Sequence, residues 1–223
     1  TAEGALYEVD TRLRPQGTQG PLAVSFDSFA RYQREEAWTW EHMALIRARV
    51  LFGSDTARAA LGAIIGDVLG AARDRTGVIE QVRDMRDKMA AHKAPKGALD
   101  VKLLRGGLVD AEFIAHALQL RDHVGMRPDM AGALGELAGA GLIERDVGAA
   151  FDLLSRVLVA ARLLAPEGAM PESASADSAP CASLAKTCGF DDWNSMIAAM
   201  DHARACIARQ WTDVFGQQLE LKA

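Results

Sequence analysis

The chain has 223 residues, 49% of them apolar and 25% charged, which suits one or two globular domains and excludes disordered, collagen-like and rod-like chains. Net charge is −5, from 25 basic and 30 acidic residues, so no general affinity for nucleic-acid phosphate is expected. No apolar run approaches the roughly 20 residues of a membrane helix; the run at 157–161 is closed by Arg156 and Arg162. Cys181, Cys188 and Cys206 have no common zinc spacing and no histidine to complete a set, and read as reduced, packed thiols of a cytoplasmic protein. The chain has no initiating Met and opens at "TAEGALYEVD", almost on an expected strand, as a piece of a longer protein would.

Residues 5–14, "ALYEVDTRLR", alternate. Glu8, Asp10, Arg12 and Arg14 share one parity, and Tyr7, Val9, Thr11 and Leu13 the other. Period two predicts a β-strand with a charged and an apolar face. Pro15 and Gly17 end it, and "LAVSF" is a candidate second strand, making a hairpin. Beyond this the periodicity is helical. Ser25 or Asp27 caps a long helix expected over 28–52, with Trp38 and Trp40 as packing residues, and Gly53 and Ser54 stop it. Asp55 caps a second helix. Further helices are expected at about 76–92, 108–123, 128–137, 146–164 and 192–219. Residues 165–180, small, polar and proline-rich, read as a flexible surface loop.

Glu8, Asp10, Arg12 and Arg14 would line one strand face at steps of ~7 Å. That face is either a solvated edge or a carboxylate for a divalent cation flanked by arginines for phosphate. "MRDKM" groups Arg83, Arg86 and Lys88 on a helix, as a solvated basic face or as a phosphate or partner contact. "RGGLVDAEF" sets glycines before a helix N-terminus, where anions are favoured, with Asp110 in the first turn and Glu112 two residues on. Capping by Asp110 and ion pairing by Glu112 are alternatives to a part in catalysis.

Four motifs, "LYEVDTRLRPQGTQGPL", "YQREEAWTWEHMALIRARVLFG", "VRDMRDKMAAH" and "GGLVDAEFIAHALQL", occur in that order, within a similarity that extends over nearly the whole chain. Together they resemble the glutamine synthetase adenylyltransferase family. The resemblance implies a mainly α fold: a helical bundle preceded by a short strand or hairpin left over from an α/β nucleotidyltransferase domain. Residues 1–53 would be the end of that domain and 54–223 a helical domain, the wording favouring the adenylylating, C-terminal half over the phosphorolytic, deadenylylating one. The resemblance further implies ATP and Mg²⁺ as cofactors, and glutamine synthetase and a PII signalling protein as partners. Asp10 matches the family's third catalytic aspartate, a metal ligand, and Arg12 and Arg14 match arginines that contact triphosphate. Arg47, Arg49, Arg86, Lys102, Asp110 and Glu112 are candidates for a supporting shell, and His116 stands where the family usually has Gln. A non-catalytic docking module for glutamine synthetase or PII is the alternative reading of the helical part.

Overall fold

The computed structural model describes residues 9–164 and 178–221. The chain forms two compact units that divide between Ala72 and Arg73.

In the first unit, α1 (Phe26–Glu35), α2 (Thr39–Ile46) and α3 (Asp55–Gly70) pack with α3 against both partners. Ala30, Met43, Leu45, Ile46, Val68 and Leu69 make its buried apolar core. The sequence boundary after residue 53 falls before α3, whereas the compact unit closes after it, because α3 buries Val68 and Leu69 in this core.

The helix expected over 28–52 is two helices with a break at 36–38. Glu41 explains the break. One of its carboxylate oxygens accepts the Trp38 amide at 2.8 Å and the other the Tyr32 hydroxyl at 2.8 Å, so α2 starts afresh with the acidic half of a capping box. Trp38, 68% exposed, and Trp40 are not the packing residues expected. Ser25 caps α1, and Ser54 rather than Asp55 caps α3, by accepting the Ala57 amide at 3.2 Å.

No strand occurs among the described residues. Residues 5–8 of the expected strand lie outside them, and 9–14 run as irregular chain with Val9 and Leu13 exposed. "LAVSF" is irregular up to Phe26, which opens α1. Alternation makes a strand only where a neighbour completes the hydrogen-bond ladder, and no such neighbour is present among the described residues.

The second unit holds α4 (Arg75–His92), α5 (Leu108–Asp122), α6 (Met130–Gly139), α7 (Asp146–Leu164), α8 (Ala179–Thr187) and α9 (Trp193–Phe215). Asp74, Asp129 and Asp192 cap α4, α6 and α9 by accepting amides two or three residues on. Gly216, at φ +66°, ends α9 in a left-handed stop. α5 is the centre. It is buried on every side, and packs against α4, α6, α7 and α9. Cys181, Cys188 and Cys206 are buried with free thiols. The loop expected at 165–180 lies outside the described residues up to 177, and Ala179 and Pro180 already begin α8. No helix of the described residues is long and apolar enough to cross a membrane.

The "RGG" glycines are set by packing. Gly106 has φ +71°, and a Cβ there would lie 2.3 Å from the Arg204 carbonyl oxygen of α9. A Cβ on Gly107 would lie 2.3 Å from the Val101 carbonyl oxygen. Both obstacles are backbone, which cannot swing aside. Gly106→Ala is therefore expected to destabilise the chain by at least about 2 kcal/mol, against a surface Gly→Ala change that costs nothing. Urea denaturation followed by circular dichroism measures it.

Candidate functional site

Asp10 and Arg12 form a local, exposed ion pair. The Arg12 guanidinium reaches both Asp10 oxygens, with Nη2 at 2.5 Å and Nε at 2.9 Å, and the Arg12 amide adds a 2.9 Å bond. These side-chain bonds pull the Asp10 carboxyl down to about 2, so it is ionised throughout the physiological range. Arg14 shapes the following turn: its Nη1 donates to the Thr11 carbonyl at 2.8 Å and its Nε to the Gly20 carbonyl at 3.2 Å. Gln16, at φ +60°, adopts a left-handed conformation that is costly for a residue with a Cβ. Arg47 and Arg49 are exposed beyond the end of α2, in the same unit as Asp10.

The other sequence candidates lie in the second unit, and two of them meet. Arg86 on α4 and Asp110 on α5 form an ion pair, Nε to Oδ1 at 2.5 Å, with side chains 1% and 0% exposed. Arg86 Nη2 also donates to the Leu103 carbonyl at 3.1 Å, and the Gly106 amide donates to Asp110 Oδ2 at 2.6 Å. Arg86 is thus no part of a solvated basic face. Burial pushes the Asp110 carboxyl up, while Arg86 and the Gly106 amide pull the other way. Lys102 is exposed and Glu112 half-buried.

The start of α5 is already used. The Leu108 amide donates to the Val101 carbonyl at 2.9 Å and the Val109 amide to the Lys102 carbonyl at 3.2 Å. Amides that an anion would need at a helix N-terminus are spent on the preceding connector. His116 is buried and bonds through Nδ1 to the Gln119 side-chain oxygen at 2.7 Å; because that oxygen only accepts, Nδ1 carries the proton.

Among the described residues no three His, Cys, Asp or Glu side chains gather to hold a metal. Asp10 is a single carboxylate, and one carboxylate does not make a Mg²⁺ site. Sequence reasoning passed over Tyr32, whose hydroxyl joins α1 to α2 through Glu41. Its signal was the Glu three residues after Trp38, the spacing of a helix start.

Comparison with known proteins gives a consistent family. A family model described as glutamate-ammonia ligase adenylyltransferase matches residues 1–63, and one described as GlnD PII-uridylyltransferase matches residues 80–215. Curated proteins named bifunctional glutamine synthetase adenylyltransferase/adenylyl-removing enzyme are similar. The one from Mesorhizobium japonicum is 44% identical over 160 residues, 69% of this chain and 16% of the relative. That from Agrobacterium fabrum is 51% identical over 120 residues, 54% of this chain and 12% of the relative. The chain thus spans under a fifth of the length of these relatives.

The buried pair has a measurable consequence. Arg86→Met keeps the volume but leaves the Asp110 carboxylate unpaired in the core, a loss of about 3–5 kcal/mol at neutral pH. With the guanidinium gone, burial is opposed only by the Gly106 amide and the more distant Arg105 charge, and the folded-state pKa of Asp110 lies further above its unfolded value. The folded variant then binds the extra proton, so its stability falls as pH rises above the ordinary carboxylate range. Urea unfolding at pH 4.5 and at pH 7 is expected to show the larger deficit, relative to the unsubstituted chain, at pH 7.

Proposed function

Because the chain belongs to the glutamate–ammonia ligase adenylyltransferase family, we propose that it is part of an ATP-dependent adenylyltransferase that transfers AMP to a tyrosine of glutamine synthetase. In this reading it belongs to the adenylylating half, contributing the Asp10–Arg14 turn of the nucleotidyltransferase domain and the helical module that follows. The observation that carries the reading is the exposed, ionised Asp10 with Arg12 beside it, at the family's motif position.

The reaction is in-line attack of a tyrosine oxygen on the α-phosphorus of ATP, with pyrophosphate leaving. Arg12 offers a planar, permanently charged fork that fits phosphate oxygens as well as it fits the Asp10 carboxylate. Its bond to Asp10 is solvent-exposed and screened, so it exchanges readily for a triphosphate. Asp10, freed of Arg12, is a bare carboxylate on a shaped turn. Mg²⁺ would need further ligands than the described residues supply, and no step is assigned to it. Arg86 and Asp110 act on this reading by holding the α4–α5 connector in place.

A second role for the helical unit is supported by its match to a model of a differently named family, the PII-uridylyltransferases. A module found with two chemistries fits docking or regulation, here toward glutamine synthetase or a PII protein.

Asp10→Asn in the full-length protein keeps shape and removes charge. AMP incorporation into glutamine synthetase is expected to fall by orders of magnitude, with stability changed by only about 0.5 kcal/mol, as for an exposed residue. The present chain alone, incubated with glutamine synthetase, ATP and Mg²⁺, is expected to incorporate no AMP. Wild-type activity in the Asp10→Asn protein, or labelling by the isolated chain, would place the active site elsewhere.

A further inference from the structure

We infer that Arg14 is a positioning residue, which clasps the 11–20 loop and so sets how Asp10 and Arg12 are displayed, and that it does not itself contact the triphosphate. The inference rests on the reading of Asp10 and Arg12 as the nucleotide-facing part of the chain, and gives Arg14 and Gly20 a joint part in it.

The Arg14 guanidinium is turned onto its own loop. Its Nη1 donates to the Thr11 carbonyl at 2.8 Å and to the Thr11 hydroxyl at 3.1 Å, and its Nε donates to the Gly20 carbonyl at 3.2 Å. A guanidinium takes a phosphate side by side through Nε with Nη2 or through Nη1 with Nη2. Each of those pairs here includes a nitrogen already bonded to the loop. The Arg12 fork, 73% exposed, lies instead on the Asp10 carboxylate, which it can trade for phosphate.

What Arg14 holds matters because Thr11 stands between Asp10 and Arg12. The Thr11 carbonyl and the Arg12 amide belong to one planar peptide group. Arg14 fixes the oxygen end of that plane, and the N–H end donates to Asp10 Oδ1 at 2.9 Å. Turning the plane would take the amide away from the carboxylate. The far end of the clasp is equally constrained. Gly20 is buried, and a Cβ on it would lie 2.1 Å from the Pro15 carbonyl oxygen and 3.2 Å from the Gln16 Cβ. Its backbone is extended, at φ −85°, so space rather than conformation excludes a side chain. Between the two ends, the Gly17 amide donates to the Arg14 carbonyl at 2.8 Å. Gln16 and Gly17 are both left-handed, at φ +60° and φ +56°. A residue with a Cβ keeps that conformation only where its surroundings hold it, as this closed loop does.

The test is a double-mutant cycle in the full-length protein. Arg14→Met removes the clasp, and Gly20→Ala forces the loop open while removing no charge. Two quantities are read: KM for ATP in AMP transfer to glutamine synthetase, and the rate at which trypsin, without nucleotide, cuts between Arg12 and Leu13. Each single change is expected to raise KM for ATP about tenfold, the worth of one hydrogen bond from a charged group. Each is also expected to speed the cut, since proteolysis follows the population of open loop. The double variant is expected to stay within about twofold of the worse single one, because both changes undo the same clasp. An Arg14 that touched the triphosphate would add its loss to that of Gly20→Ala, and a KM raised about a hundredfold in the double variant would overturn the inference. So would a KM for ATP unmoved in either single variant, or a raised KM with cleavage unchanged. Partial misfolding only reduces the number of active molecules, lowering apparent kcat and leaving KM alone. Should Gly20→Ala give no soluble protein, Gly17→Ala takes its place in the cycle, since a Cβ at φ +56° strains the same loop and removes no charge. Asp10→Asn run in parallel separates the two failures. If it leaves transfer intact, the reading of Asp10 and Arg12 falls and this inference with it. If it abolishes transfer while the cycle fails as described, only the role of Arg14 falls.

Discussion

The second unit is organised around one buried ion pair. Arg86 and Asp110 are both withdrawn from water, at a desolvation cost that their attraction repays only if the remaining polar atoms are also satisfied. Here they are held by backbone: Leu103 takes Arg86 Nη2, and Gly106 supplies an amide to Asp110. The pair therefore ties α4 to the start of α5 and also dictates the path of the connector between them. That path brings Gly106 against the Arg204 backbone, so α9 has to lie where no side chain intervenes. Arg204 Nε closes the arrangement by donating to the Arg105 carbonyl at 3.2 Å, and Asp87 on α4 accepts from both Arg105 and Gln217. Three helices and a connector are registered by charge around α5, which is buried on every side.

The first unit is built on the opposite principle. Its core is thin, and large apolar side chains stay in water: Val9, Leu13, Leu22, Trp38, Leu51 and Phe52 are all exposed. Polar bonds supplement it: Tyr32–Glu41 and the His42 ring bonded to the Gln33 carbonyl at 2.9 Å join α1 to α2, and Arg14–Gly20 closes the preceding loop.

What could be read from sequence follows from how local each cause is. Helices α4, α5 and α7 were legible almost to the residue, because apolar spacing and neighbouring turn formers act within a few positions. The break between α1 and α2 was hidden because neither Gly nor Pro marks it; a glutamate three residues beyond the break creates it. The strand was misread because alternation reports a tendency that only a pairing partner can realise. The Arg86–Asp110 pair was the least visible, being 24 residues apart. Its clue lay in the α4 pattern, where Arg86 follows Val78 and Val82 at steps of four, on the stripe that faces inward. An arginine on a buried stripe needs a buried partner, and the aspartate opening the most buried helix was the available one.

The two Arg–Asp pairs show how far environment, rather than residue type, decides what such a pair does. Both have a 2.5 Å contact, and both fall in motifs that sequence similarity groups together. Around Arg86 and Asp110 there is no water to compete and no room to move, so the pair is fixed and serves as a structural joint. Around Asp10 and Arg12 solvent screens the attraction, and either partner can trade the other for a phosphate or a cation at little cost. An exchangeable pair is useful only if its backbone is held, since a charge on a wandering loop has no defined position to offer a substrate. Such a hold stands a few residues downstream of Asp10, where Arg14 bonds the Thr11 and Gly20 carbonyls and the Gly17 amide bonds the Arg14 carbonyl.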